Sequence, residues 1–226
     1  MVHLDKDAIA ARIAKTAAHI IDDMAGGDTF VLNLGVGIPT KISNYLTNPN
    51  VFIHAENGML GVGPLASEAE AHPKLINASR QPVKETPGCC YIDSSLSFGM
   101  IRGGHVDATV LGAFEVDQQA NVSNWIIPGG KQLGVGGAMD LASGANTLIV
   151  AMTHTGKNGP KLIKQCTLPI TAYGTVRLVV TEYGVFRFHD GKITLEMIAP
   201  DITLDELRQI TELDFEPAAE LGVMPA

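Results

Sequence analysis

The sequence predicts an α/β fold, with a single open, largely parallel sheet and flanking helices formed by residues 1–226 as one domain. Short runs that favour strands alternate with segments of helical spacing, which is typical of parallel sheets. Turn residues separate these runs, and the chain contains 24 glycines and 12 prolines among its 226 residues. Neither a repeat, a low-complexity tract nor a linker-like stretch divides the chain. One domain is therefore the simpler interpretation.

The first quarter of the chain predicts a helix, a strand, a turn, a short helix and a second strand. Gly26 and Gly27 end the first helical pattern, and Glu56 follows directly behind the second strand region. The predicted segments are Ile9–Met24, Thr29–Leu34, Gly35–Pro39, Thr40–Leu46 and Val51–His54.

Further strands and helices are predicted in the remainder of the chain. Asp93 is placed to cap a helix that runs to Ile101, and Thr203 with Glu206 forms a capping box for a helix through Thr211. The pair Asp190-Gly191 predicts a hairpin turn. The predicted strands are Ala108–Leu111, Thr147–Met152, Val176–Val180, Val185–Phe188 and Ile193–Met197.

Composition and charge exclude several classes of protein. The formal net charge of -8 argues against a nucleic-acid-binding protein, which would present a basic face. Apolar stretches such as Leu148–Met152 are too short to span a membrane, and the acidic start is not a signal peptide. Adjacent Cys89 and Cys90 with Cys166 suit reduced thiols in a cytoplasmic protein. The histidines are not spaced as zinc ligands, so no metal site is predicted.

The segment Gly35-Val36-Gly37 follows a predicted strand and invites three interpretations. A dinucleotide-binding loop would need a third glycine where Thr40 stands. A plain tight turn fits better. The third interpretation, which we favour, is a glycine loop that lets another ligand approach the backbone.

Glu56-Asn57-Gly58 is the second candidate site. On its own, the tripeptide indicates an exposed turn, because Asn and Gly tolerate positive φ. Its position behind a strand and before a predicted glycine loop, Gly58–Gly63, favours a ligand site at the carboxyl edge of the sheet. A carboxylate there can act as a nucleophile.

Gly134–Asp140 and Arg102–His105 are further glycine-rich segments. The first is either a structural loop in which Asp140 caps a helix or a source of backbone amides for an oxyanion hole. In the second, the glycines suit a helix C-cap, and Arg102 is either a ligand for a phosphate or carboxylate or a solvated side chain.

Taken together, these segments resemble the B (β) subunit of family I CoA-transferases, the group of acetate/butyrate–acetoacetate and 3-oxoacid CoA-transferases. The order and approximate spacing of the motifs match from about Ile9 to Asp214-Phe215. The matching segments are Asn33–Pro39, Glu56–Pro64, Ile101–Asp107, Val110–Ala113, Asn124–Gly129, Gly136–Leu141 and Cys166–Pro169.

The resemblance implies a function for particular residues. Glu56 would be the nucleophile that forms an acyl anhydride and then a glutamyl-CoA thioester in a ping-pong reaction. Backbone amides of Gly137 and Ala138 would stabilise the oxyanion, and Asn33 would donate a hydrogen bond nearby. CoA, as the acyl-CoA substrate and without a permanent cofactor, would lie against the loop formed by Gly35, Val36, Gly37, Ile38 and Pro39.

The resemblance also implies a partner, the CoA-transferase A (α) subunit, in an α2β2-type hetero-oligomer with the active site at the interface. Two residues depart from the family pattern: Ala55 replaces a common serine, and Lys131 is displaced by one position. Two other functions compete with this interpretation. One is a sugar-phosphate isomerase-like enzyme of similar fold, and the other is a non-catalytic CoA-binding subunit.

Overall fold

The computed structural model describes residues 4–130 and 134–225, and its main feature is one large sheet. The strands are β1 Phe30–Leu34, β2 Val51–Ala55, β3 Met59–Leu65, β4 Val83–Tyr91, β5 Ala108–Leu111, β6 Glu115–Asp117, β7 Val122–Ser123, β8 Thr147–Ala151, β9 Thr155–Gly156, β10 Gly159–Pro160, β11 Leu162–Ile163, β12 Val176–Val180, β13 Gly184–His189, β14 Lys192–Ile198 and β15 Glu216–Val223. The large sheet has ten strands in the order β15-β14-β13-β12-β8-β5-β1-β2-β3-β4.

The centre of this sheet is parallel, as predicted. Strands β12, β8, β5, β1 and β2 run in the same direction. Antiparallel neighbours extend the sheet on both sides, through β13 and β14 on one side and β3 and β4 on the other. Because the central strands are parallel, their carboxyl ends meet at one edge, where ligands bind in open α/β sheets.

Helices cover both faces of the parallel centre. The helix α1 (Lys6–Ala25) packs its apolar side against one face, together with a 3-10 helix at Pro39–Asn44. The opposite face is covered by α2 (Ser94–Arg102), α3 (Ala138–Gly144) and α4 (Leu204–Gln209). Every residue of β5 is buried, as expected for a strand covered on both faces. None of the helices in the described ranges is both long enough and apolar enough to cross a lipid bilayer.

Most of the predicted elements are confirmed, with small changes at their ends. The Asp5 side chain caps α1, and Gly26 ends it with a φ of 54°. Asp93 caps α2, as predicted. Thr203 and Glu206 form the predicted capping box of α4. That helix ends at Gln209 rather than Thr211, and the short helix predicted at Thr40–Leu46 is the 3-10 helix.

The predicted glycine loop Gly58–Gly63 is wrong beyond its first residue, because Met59–Leu65 is strand β3. Its glycines instead allow β3 and β4 to lie close together. A Cβ on Gly61 would lie 2.9 Å from the Cα of Cys89 on β4. A Cβ on Gly63 would lie 2.8 Å from the carbonyl oxygen of Lys84 on the same strand. Glycine is therefore needed here for the close approach of β4.

Candidate active site

A row of buried polar side chains crosses the otherwise apolar centre of the sheet. Asn33 on β1 is in register with His54 on β2 and with Thr109 on β5. Side chains in register on parallel strands point to the same face, so these three residues are neighbours. Each is at most 1% exposed, and such groups need hydrogen-bond partners.

Asn33 connects this row to Glu56. Its Nδ2 donates to the Glu56 Oε2 at 3.2 Å and to the carbonyl oxygen of His54 at 3.1 Å. The Thr109 hydroxyl donates to the Asn33 Oδ1 at 3.3 Å. Because a carboxylate and a carbonyl can only accept, the amide group must point its nitrogen toward Glu56. A neutral donor is thereby held against the candidate nucleophile.

The turn between β2 and β3 holds Glu56 at the carboxyl edge of the sheet. The Gly58 N–H donates to the Ala55 carbonyl oxygen at 2.9 Å. Gly58 has a φ of +124°, and a Cβ there would lie 2.3 Å from the Ile92 carbonyl oxygen, so only glycine fits. The sequence left open whether this segment is a tight turn or a ligand site. The structure contains the turn, and the turn presents a partly exposed carboxylate.

His54 and Ser97 lie beneath this turn, and sequence reasoning missed both. The His54 Nε2 is 2.9 Å from the Ser97 Oγ, and the Ser97 Oγ donates to the Glu56 backbone oxygen at 2.9 Å. Burial lowers the pKa of His54, although the nearby Glu56 carboxylate acts in the opposite direction. The sequence does contain a signal for His54, because it is a polar residue within the apolar strand Val51–Ala55.

Gly137 lies directly against the Glu56 side chain. A Cβ on Gly137 would lie 3.3 Å from the Glu56 Cγ and 3.3 Å from the Phe98 Cζ. The Ala138 N–H donates to the Val135 carbonyl oxygen at 3.1 Å, whereas no acceptor for the Gly137 N–H is found among the described residues. Among the described residues the two predicted amides therefore differ, since only that of Ala138 has an acceptor.

The packing of α3 on α2 brings Gly137 to Glu56. A Cβ on Gly144 would lie 2.6 Å from the Ile101 carbonyl oxygen, so the two helices pack closely because this position is glycine. The Arg102 Nε is 2.7 Å from the Asp140 Oδ1. Asp140 does not cap α3, because the N-cap is Gly137 and Asp140 lies in the first turn. The Arg102 side chain is 68% exposed, as the solvated role predicts, and the carboxylate that it contacts belongs to this chain.

The Gly35–Pro39 segment forms a loop at the end of β1. The Gly35 N–H donates to the Val110 carbonyl oxygen at 2.8 Å, so this amide is engaged within the sheet. Val36 is 67% exposed, and Gly37 has a φ of +94° with open space around it. The Thr40 hydroxyl donates to the Gly35 carbonyl oxygen at 2.9 Å and closes the loop. Val36 and Gly37 are therefore the part of the loop that a ligand can reach.

A cleft of about 710 Å³ opens beside this loop. Its walls come from α1, the loop, the 3-10 helix and the segment after β3. The lining residues include Val36, Gly37, Lys41, Tyr45, Leu65 and Gln81. A volume of this size is adequate for part of an elongated ligand.

Two departures from the family pattern have different outcomes. Ala55 is 5% exposed and packs with Met59, Val62 and Val83 in an apolar cluster. A methyl group suits those surroundings. Lys131 lies outside the described residues. Within residues 4–130 and 134–225, no three His, Cys, Asp or Glu side chains come together as a metal site.

Comparison with known proteins identifies the family. The sequence profile described as "Coenzyme A transferase" matches residues 11–209. The chain is 45% identical to the beta subunit of the acetate CoA-transferase of Escherichia coli K12, over 92% of this chain and 95% of that protein. It is 40% identical to the B subunit of the succinyl-CoA:3-ketoacid coenzyme A transferase of Helicobacter pylori 26695, over 82% of this chain and 90% of that protein.

The fold is that of a solved acyl-CoA transferase, YdiF from E. coli O157:H7 in a thioester complex with CoA. The TM-score is 0.73 at 20% identity, and the match covers 99% of this chain. The chain spans 44% of that longer polypeptide. With this fold and the profile match over most of its length, the chain belongs to the coenzyme A transferase family.

Proposed function

We propose that this chain is the catalytic B subunit of an enzyme that transfers CoA between a short-chain acyl-CoA and a carboxylic acid. The observation that carries the proposal is Glu56, a partly exposed carboxylate that accepts a hydrogen bond from Asn33 and lies against Gly137. The relatives named for acetate and for 3-ketoacid CoA transfer support this substrate class.

The reaction begins with attack by a Glu56 carboxylate oxygen on the thioester carbonyl. The carbon–sulfur bond breaks, the CoA thiolate leaves, and a mixed anhydride joins Glu56 to the acyl group. The thiolate then attacks the Glu56 carbonyl. The bond between the Glu56 carbonyl carbon and the bridging oxygen breaks, so the first acid departs with that oxygen and a glutamyl-CoA thioester remains. A second carboxylate reverses these steps and leaves as its CoA ester.

Each step passes through a tetrahedral oxyanion that needs hydrogen-bond donors. We assign the Gly137 N–H as one of these donors, because Gly137 lies against the Glu56 side chain and its N–H has no acceptor among the described residues. The Ala138 N–H contributes only when its bond to Val135 is exchanged for one to the oxyanion. Asn33 offers a neutral donor at the carboxylate, and a neutral donor does not neutralise the nucleophile's charge.

We place CoA along the Gly35–Pro39 loop and the adjoining cleft. Val36 and Gly37 offer exposed backbone and an apolar side chain, whereas Gly35, Ile38 and Pro39 fix the loop to the sheet and the 3-10 helix. Lys41 also lines the cleft, at hydrogen-bonding distance from Asp7. The CoA molecule enters as a substrate, so the proposal requires no permanently bound cofactor.

We also propose an A-type partner subunit, in an α2β2 assembly, because the relatives are named as the beta or B subunit. A cytoplasmic location is consistent with Cys89, Cys90 and Cys166, which are free thiols.

Trapping the covalent intermediate tests this proposal. The complex of this chain with its A subunit is incubated with acyl-CoA, and peptides are analysed by mass spectrometry with and without borohydride reduction. We expect a CoA adduct on Glu56 that borohydride removes, and no adduct in Glu56→Gln. A non-catalytic CoA-binding chain would bind CoA without any adduct, and an isomerase would react with a sugar phosphate without CoA. Either result, or full activity in Glu56→Ala, would overturn the proposal.

A further inference from the structure

A buried hydrogen-bonded chain leads from His54 to the main chain of Glu56. The His54 Nε2 lies 2.9 Å from the Ser97 Oγ, which donates to the Glu56 backbone oxygen at 2.9 Å. His54 is 1% exposed and Ser97 is fully buried. The two residues come from β2 and α2, so the chain also fixes the helix against the sheet beneath the candidate nucleophile.

The directions of these hydrogen bonds follow from the donor inventory. A hydroxyl has one proton, and the Glu56 carbonyl oxygen can only accept it. Since the Ser97 proton is used in that bond, the His54 Nε2 must supply the proton between the ring and Ser97. The neutral ring then carries its hydrogen on Nε2 and leaves Nδ1 as an acceptor.

Asn33 holds the ring in this form. The His54 Nδ1 lies 3.5 Å from the Asn33 Nδ2, whose orientation is fixed by its bonds to the Glu56 carboxylate and the His54 carbonyl oxygen. A proton on Nδ1 would point at this NH₂ group. The site therefore disfavours a charged ring, and burial acts in the same direction.

We propose that His54 and Ser97 are positioning residues for the Glu56 nucleophile, acting as a donor chain that fixes its backbone carbonyl while Asn33 fixes its carboxylate. This inference rests on the proposed function. During the reaction the carboxylate becomes an anhydride and then a thioester, so its contact with Asn33 changes from step to step. The backbone carbonyl takes no part in this chemistry, and the contact with Ser97 persists throughout.

A second hydrogen-bonded chain in the same molecule is a matched control for the one formed by His54 and Ser97. The His154 Nε2 lies 2.8 Å from the Thr211 Oγ1, which donates to the Leu207 carbonyl oxygen at 2.7 Å. His154 is fully buried and Thr211 is 9% exposed. This chain likewise joins an imidazole, a hydroxyl and a carbonyl, but it ends on α4 instead of on Glu56. A purely structural contribution would affect the two chains alike.

The test removes the hydroxyl from each of the two hydrogen-bonded chains. Ser97→Ala and Thr211→Ala are made in this polypeptide, and both are measured in the complex with the A subunit. The rates are divided by the number of active sites that form the Glu56 adduct, so unfolded protein does not count. We expect Ser97→Ala to lower kcat by about 10- to 100-fold with KM for acyl-CoA within about threefold, because small displacements of a reacting group lower the rate. Thr211→Ala should lower the melting temperature without this loss per active site.

Two His54 variants complete the test. His54→Leu removes the donor and should reproduce the kcat of Ser97→Ala, and the double variant should lose little more, since both act through one chain. His54→Gln places an amide donor near the position of Nε2 and should recover part of the loss. Equal kcat per active site in Ser97→Ala, His54→Leu and the parent would overturn this inference alone. Full activity in Glu56→Ala would instead overturn the proposed function.

Discussion

Two glutamates follow parallel strands at the same edge of the sheet, and they differ in almost everything else. Glu56 comes directly after β2, and Glu182 comes two residues after β12. Glu56 is partly exposed, whereas Glu182 is only 3% exposed. The sequence around each is an apolar run followed by an acid, so local pattern alone does not separate them.

The environment of Glu182 is closed. Its Oε2 accepts from the His154 N–H at 2.8 Å, and its backbone oxygen accepts from Arg12 at 3.2 Å. Burial raises the pKa of Glu182, although hydrogen bonds and the cations Lys161 and Arg12 act in the opposite direction. A buried carboxylate with these partners supports the packing of β12 and leaves no room for a substrate.

Glu56 is instead partly exposed, so a substrate can reach it. Gly137, which has no side chain, lies against it, and the neutral amide of Asn33 holds one oxygen. Under the proposed function, a strand-end carboxylate serves as the nucleophile where it is partly exposed and a neutral donor holds it. Substitutions at and around the two glutamates test that difference.

Isosteric substitution of each glutamate gives the sharpest contrast. Glu56→Gln should lower kcat by roughly 10⁴-fold or more, because the amide is a poor nucleophile and losing a nucleophile has effects of this order. Glu182→Gln should keep kcat within about threefold, since a glutamine oxygen can still accept from the His154 N–H. Steady-state kinetics of the complex measures both. A comparable loss in the two variants would contradict the assignment.

Removing the donor beneath Glu56 should have the next largest effect on catalysis. Asn33→Ala should lower kcat by about 10²-fold, because the Glu56 carboxylate loses the donor that orients it and small displacements of a reacting group can cost this much. Thr109→Val is the control, because Thr109 contacts Asn33 and not Glu56. That variant should lose less activity. Parental kcat in Asn33→Ala, with an unchanged melting temperature, would show that the amide does not support the reaction.

The closed region should control stability at acidic pH. Burial lowers the pKa of His154 to about 4 from its ordinary value of 6.5. As pH falls from 6.5 to 4, the unfolded chain takes up this proton before the folded chain does, so the free energy of unfolding should fall by roughly 3 kcal/mol. Urea unfolding across this range measures the change.

Glu182 acts with the opposite sign over an overlapping range. Its raised pKa means that the folded chain takes up a proton first as pH falls, which stabilises the folded state. Glu182→Gln removes this gain, so the decline in stability toward pH 4 should be steeper in that variant. Replacing His154 by Gln should flatten the decline. A decline unchanged by either substitution would assign the pH dependence to other groups.

The smallest expected effect tests the close contact of Gly137 with Glu56. Gly137→Ala places a methyl group 3.3 Å from the Glu56 Cγ, so a neighbour must move by a few tenths of an ångström. We expect kcat to fall by about tenfold or less. Gly99→Ala in α2 is the control, because its Cβ would meet open space. That change should leave kcat unaltered and stabilise the helix by up to about 1 kcal/mol.

The parallel centre of the sheet could be predicted from sequence because its strands are compact apolar runs. Val176–Val180 and Ala108–Leu111 form strands with the predicted ends. Strands β4 and β15 could not be predicted, since they are more exposed, contain prolines and lack a clear alternation of apolar and polar residues. The glycines within β3 suggested a loop. They are needed for the close approach of β4, which is a tertiary contact that the local sequence does not show.

Part of the candidate site could also be predicted from the sequence. Glu56 was singled out by its position behind a strand, the resemblance added Asn33, and the structure brings the two into contact. His54, Ser97 and Thr109 were missed because their positions depend on strand register and on the packing of α2. The difference between the Gly137 and Ala138 amides likewise depends on a turn that sequence does not specify.

Oxygen exchange shows which glutamate is the nucleophile, because it reports on Glu56 and Glu182 at once. The complex is incubated with acyl-CoA and a carboxylic acid labelled with oxygen-18, and the peptides that contain Glu56 and Glu182 are weighed. Attack by the labelled acid on the glutamyl thioester leaves one of its oxygens in the Glu56 carboxylate after turnover. We expect oxygen-18 in Glu56 and none in Glu182. Turnover that leaves Glu56 unlabelled would contradict this assignment.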